Sequence, residues 1–179
     1  MERRLYDHEG FRMKSVVGLL AAACMLSAAP VHADEAGFLR SLQGNFAGKG
    51  TVRIRTNTPV MNISCTFKSA ATASSLSLDG TCRAMMIMTR QIRADLKTSG
   101  ARYSGTYIGS KSGPAGLAGS RKGDAIRLDI RWAKIVNGDR DAQMIVEKIG
   151  ANAMRLTVTD VDPKTGKTVV TSRINLRRT

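Results

Sequence analysis

From Gly48 onward, apolar and polar residues alternate with a period of two in segment after segment, each separated from the next by Gly, Asn or Asp. Ile126, Leu128, Ile130 and Trp132 alternate with Arg127, Asp129 and Arg131, the pattern of a half-buried antiparallel strand. Met154, Leu156 and Val158 stand against Arg155, Thr157 and Thr159 in the same way. So do Val170, Ser172, Ile174 and Leu176 against Thr171, Arg173 and Asn175, and Ile92, Ala94 and Leu96 against Arg93, Asp95 and Lys97. Val52 with Ile54, and Tyr103 with Tyr107, mark two further strands. Turn chemistry at Gly123-Asp124, Asn137-Gly138, Gly150 to Asn152 and Asp162-Pro163 to Gly166 joins neighbours by short links. The expected fold is therefore all-β, an antiparallel meander of about 8–10 strands. Closure into a barrel removes both exposed edges, so a closed or nearly closed barrel is expected and an open sandwich is the alternative. One short helix precedes it: Asp34 and Glu35 suit a helix N-terminus, Phe38 and Leu42 lie four apart, and Gly44 stops the run.

The hairpin from Val60 to Cys82 carries a covalent prediction. Met61, Ile63, Cys65 and Phe67 share one face, and Leu76, Leu78 and Cys82 share the facing one. A turn centred near Ala73 and Ser74 sets Cys65 opposite Cys82, both pointing inward, so a disulfide between them is expected and two separate buried thiols are the alternative.

The first 33 residues read differently. From Met13 to Ala33 a basic start at Lys14, an apolar run from Val16 to Leu26, and a small-residue ending at Pro30-Val31-His32-Ala33 form a secretory signal, with the cut expected before Asp34. Met13 offers an alternative start, because Met1 to Arg12 carries three acids. Cys24, after Leu20 and three alanines, resembles a weak lipobox; the alternative is a leader cysteine that is discarded. Residues 34–179 are expected to form one domain in the periplasm or outside the cell, and to be monomeric. The leader holds four of the 28 Lys and Arg and three of the 14 Asp and Glu, leaving 24 against 11, or +13. Such an excess favours anionic partners: lipid headgroups, lipopolysaccharide, acidic polysaccharide or an acidic envelope protein. Export and an aromatic content of 4% argue against nucleic acid.

Both histidines, His8 and His32, lie in the leader, so histidine triads and histidine metal sites are not expected beyond it. No P-loop, dinucleotide fingerprint or G-x-S-x-G motif is present. No catalytic residue, metal or cofactor is assigned. Carboxylate chemistry on glycans needs only two acids, but Asp79, Asp124, Asp139, Asp141, Asp160 and Asp162 flank chain reversals, where Asp is common for local reasons. Two regions are candidate binding sites. Trp132, Lys134 and Arg140 gather an aromatic and two cations at one turn, where the alternative is a core tryptophan beside a solvated hairpin. Met85, Met86, Ile87 and Met88 form either an adaptable lining or ordinary core. Arg53, Arg55, Arg127, Arg131, Arg155, Arg173, Arg177 and Arg178 are expected outside the barrel, where neighbouring strands would assemble a cationic wall suited to carboxylate or phosphate; Arg127, Arg131, Arg155 and Arg173 are its ligand-binding candidates, and a merely solvated face is the alternative.

Leu42, Gly44, Phe46, Gly48 and Gly50 resemble the entry to the first strand of lipocalin-like barrels, with Gly44-Asn45-Phe46 in place of the G-x-W motif. The resemblance implies a cup holding an apolar or amphipathic ligand. The leading expectation is a non-enzymatic periplasmic protein that binds an amphipathic or anionic envelope component. A structural or adaptor protein is the second reading, and a carboxylate-based glycan hydrolase the third.

Overall fold

The computed structural model describes residues 31–84 and 88–179. The expected leader lies outside them except for the first three residues of the helix; Met13 and Cys24 fall there, as do Met85, Met86 and Ile87. One helix, α1 (Val31–Ser41), is followed by ten strands: β1 (Gly44–Val52), β2 (Met61–Ala71), β3 (Ser75–Ala84), β4 (Met88–Ser99), β5 (Arg102–Ile108), β6 (Ala115–Lys122), β7 (Ala125–Val136), β8 (Asp139–Ile149), β9 (Ala153–Val161) and β10 (Thr168–Arg178). A cut before Asp34 would remove three residues of α1 and none of its side chains named below.

Every strand pairs antiparallel with its sequence neighbours, and β1 pairs with β10 to close the barrel. The expected meander is thus a closed ten-strand barrel. Alternation sends Ile126, Leu128, Ile130 and Trp132 inward, with Arg127, Asp129 and Arg131 outward. Phe46, Phe67, Leu78, Leu96, Leu117, Met144, Met154 and Leu176 join the same apolar core. Between β1 and β10 the closure depends on glycine. A Cβ on Gly48 or Gly50 would overlap the carbonyl oxygens of Asn175 and Arg173, so only a residue without one lets the two backbones approach there.

Cys65 and Cys82 stand opposite each other on β2 and β3, 4.1 Å apart at Cα, and are bonded. The turn between these strands spans residues 72–74, where the sequence centred it. Asn137 and Gly138, with φ of 55° and 107°, make the two-residue link between β7 and β8.

Three details depart from the sequence reading. β1 ends at Val52, so Ile54 is not a strand residue: the chain turns away at Arg53, the Arg55 amide bonds the Thr58 hydroxyl, and Ile54 is left 62% exposed. The register of β10 shifts between Val170 and Ser172, so Val170 does not continue the inward row of Ser172, Ile174 and Leu176. Arg178 is not on the outer wall, because it pairs with the inward Phe46 and lays its guanidinium over that ring, 5.0 Å from the centroid.

Candidate functional site

The two ends of the barrel are built differently. At the end where β1 begins, α1 lies across the opening and, with the turn after it, buries Phe38, Leu39 and Leu42 against the core. Glu35, 2% exposed, is held there by two donors: the Tyr103 hydroxyl and Arg121 Nε, the latter at 2.9 Å. Arg121 also bonds Asp34 and stacks on Phe38 at 4.7 Å. Burial opposes the Arg121 charge, but its bonds to Glu35 and Asp34 outweigh that and hold its pKa above the usual guanidinium value. Burial first, and then the bond to Glu35, raises the Tyr103 phenol well above the ordinary tyrosine range. Arg178 bonds the carbonyls of Ser41 and Gln43, fixing the chain as it leaves α1. This end is a plug.

At the opposite end no helix of the described residues covers the strands. Along one side the 53–60 connection bends over the rim: the Thr56 amide bonds Asn137 Oδ1 at 3.3 Å, and the Thr56 hydroxyl bonds Asp162 at 2.9 Å. Asn137 Nδ2 in turn donates to Asp160 at 2.7 Å, tying three connections into one buried polar seam. The two aspartates are biased oppositely. Burial raises the pKa of Asp160, whereas donors led by the Thr56 and Thr165 hydroxyls lower that of Asp162.

Inside this open half the wall carries donors that the sequence reading did not assemble. Trp132 is 6% exposed, yet its Nε1 has no hydrogen-bond partner among the described residues. Its ring meets Tyr107 edge-on, with centroids 6.0 Å apart. Burial pushes the Tyr107 phenol up to about 12, and the positive charge of Arg90 acts in the opposite direction. Arg90 pairs with the inward Cys82 and is exposed, so it stands on the inner face of β4 at the mouth. A buried indole N–H and a phenol thus meet in this half of the barrel, and the guanidinium charge of Arg90 acts on the phenol; all three groups can donate. Partly buried apolar side chains, Val52, Ile92, Val136, Leu156 and Val158, line the wall around them. An unpaired N–H in such a setting costs about 1–3 kcal/mol relative to a bonded one, which a bound acceptor would relieve.

The residues singled out in the sequence divide between two places. Trp132 is in the open half, and Arg140 is fastened beside it, its Nε bonding the Trp132 carbonyl at 2.7 Å across the irregular stretch of β7. Lys134 lies exposed within that stretch. Arg127, Arg131, Arg155 and Arg173 face outward on β7, β9 and β10, away from the interior. Two of them are engaged: Arg131 with Asp141 at 2.6 and 2.7 Å, and Arg155 with Asn175 and Glu147. Arg53 and Arg55 lie on the 53–60 connection rather than on a strand. Arg90 escaped notice although it is in phase with Ile92, Ala94 and Leu96. A cation that extends an apolar inward row was the available signal. Among the described residues no group of three carboxylate, His or Cys side chains is arranged to hold a metal.

No sequence family and no curated protein matches the chain. Its fold does have a solved counterpart. The barrel is similar to the crystal structure of Rv2717c from M. tuberculosis, with a TM-score of 0.62 at 14% identity, covering 84% of this chain and 98% of that one. At that identity the likeness concerns the fold alone: a ten-strand antiparallel closed barrel.

Proposed function

We propose that the protein is a non-enzymatic binder of an amphipathic anion, a carboxylate- or phosphate-headed molecule of the cell envelope, held at the open mouth of the barrel. The observation that carries this reading is the buried Trp132 N–H, without a partner among the described residues, beside a Tyr107 phenol on which the charge of Arg90 acts. A head with acceptor oxygens satisfies the donors, and a charged head is the one Arg90 favours. The partly buried Val52, Ile92, Val136, Leu156 and Val158 suit an apolar tail. The resemblance of Gly44-Asn45-Phe46 to a lipocalin-like entry supports the same cup-shaped use, and the leader expected from the sequence supports a periplasmic setting.

Trp132 is the sole tryptophan, so its emission reports the site directly. Titration with a long-chain carboxylate or a lysophospholipid is expected to change that emission saturably. Arg90→Gln should weaken binding about tenfold or more, the scale of losing a charge-assisted hydrogen bond. Trp132→Phe, followed by calorimetry, should also lose affinity while the fold is as stable or more so, because a buried orphan donor has been removed. Absence of any emission change, or affinity untouched by Arg90→Gln, rules the reading out.

A further inference from the structure

The open end carries a second feature. Of the seven large apolar side chains exposed among the described residues, six sit at this end: Ile54, Val60, Met88, Ile108, Ile135 and Val161. They come from the β1–β2 connection and from the ends of β4, β5, β7 and β9, and so surround the mouth rather than form one spot. Ile135 is 70% exposed; at the plugged end only Ile149 belongs to this group, at 37%. Single exposed apolar residues are ordinary, but their collection on one rim is not.

The connections at the open end are also cationic. The described connections at the open end, 53–60, 109–114, 137–138 and 162–167, hold Arg53, Arg55, Lys111, Lys164 and Lys167, with Asp162 the one carboxylate, buried and bonded to Thr56. At the plugged end, α1 and the turns hold Asp34, Glu35 and Asp124 against Arg40, and the strand ends beside them add Arg102, Arg121, Lys122 and Arg178. A crown of separated apolar tips set among cations matches the interface of an anionic bilayer, where aliphatic groups enter the acyl boundary and Lys and Arg meet phosphates. A protein partner fits less well, since interface cores are rich in aromatics and poor in lysine, and this rim has the reverse. Insertion of the whole barrel is excluded by its outer faces, which carry Arg, Lys, Asp and Thr where a membrane-spanning barrel is apolar.

We infer that the open rim docks end-on to an anionic lipid surface, presenting the mouth to the headgroups. This gives the proposed ligand site its source, but it rests on the rim residues and not on Trp132, Tyr107 or Arg90. The test is co-sedimentation of the purified oxidised protein with phosphatidylcholine vesicles and with vesicles containing phosphatidylglycerol. Binding is expected to the anionic vesicles, at least tenfold above the neutral ones, and to fall about tenfold in 0.5 M NaCl as screening shortens the reach of the cations. Ile54→Asp with Ile135→Asp should reduce it tenfold or more, while Ile149→Asp at the plugged end leaves it unchanged; unaltered circular dichroism shows that each variant is folded. Arg90→Gln should impair the soluble amphiphile titration yet keep most of the vesicle binding, so the two readings fail separately. Equal binding to both vesicles, equal loss from Ile149→Asp, or loss through Lys49→Gln with Arg83→Gln on the outer wall instead of through the rim pair would each overturn the inference.

Discussion

Reduction of the Cys65–Cys82 bond is the perturbation whose size is best defined. The bond joins two adjacent strands across a sequence separation of 17, so it shortens the freedom of the unfolded chain and touches little else. The loop-entropy relation gives about 3 kcal/mol at 25 °C for a closed loop of this length. In a domain of this size 1 kcal/mol moves the melting temperature by about 2–4 °C, so the reduced protein should melt about 6–12 °C lower. Differential scanning calorimetry with and without a phosphine reductant measures this, and a Cys65→Ala, Cys82→Ala double variant repeats it without thiols. Far-UV circular dichroism should not change, because the flanking pairs Ile63 with Ala84 and Phe67 with Gly80 hold the register independently. The urea m-value should rise on reduction, since the released chain expands when unfolded. A melting temperature within 2 °C of the oxidised protein would show that the bond does not act through the unfolded state. Loss of strand signal would show that the ladder needs the covalent link to form.

Three further outcomes are expected. Glu35→Ala, which strands Tyr103 and Arg121 inside the plug, should cost about 2–4 kcal/mol in urea melts, with Asp34 left as a partial partner for Arg121; a cost under 1 kcal/mol would deny the plug its role. Tyr103 and Tyr107 both have raised folded-state values, so the folded protein keeps them protonated where an unfolded tyrosine ionises: stability is untouched below pH 10 and falls as pH climbs beyond it. Phenolate absorbance near 295 nm should accordingly appear together with unfolding and not ahead of it. At the rim, Asp162 has a lowered value, so its contribution is present above the usual aspartate range and is lost as pH falls through it, while Asp160, raised by burial, opposes that trend. Protection of the Thr56 amide, its exchange corrected for the intrinsic pH dependence, should fall on acidification below pH 4, and Thr56→Val should reduce the change.

Legibility in the sequence followed the physics of each feature. Strands, their inward rows and the disulfide register depend on local alternation and on the length of one turn, so Ile126 to Trp132 and Cys65 with Cys82 were readable directly. The bulge near Val170 was not, because the row Val170, Ser172, Ile174 keeps a perfect period in sequence while the backbone inserts a residue. The site was half legible. Trp132 and Arg140 stood out by residue type, but Tyr107, which meets the Trp132 ring, and Arg90, whose charge acts on Tyr107, come from β5 and β4, and only the curl of the sheet brings these strands together with β7.

The sequence by itself determined an all-β meander, its inward faces, its paired cysteines and its positive charge, since each follows from residue type and spacing along a single strand or hairpin. The tertiary structure alone decided that the barrel has a plugged end and an open one. Glu35 meets Tyr103 and Arg121 across 68 and 86 residues, and exposed apolar and cationic residues from distant connections share one rim. The meander already alternates its connections between two ends; when β1 meets β10 the sheet curls those connections into one ring at each end, a constraint that no local pattern contains.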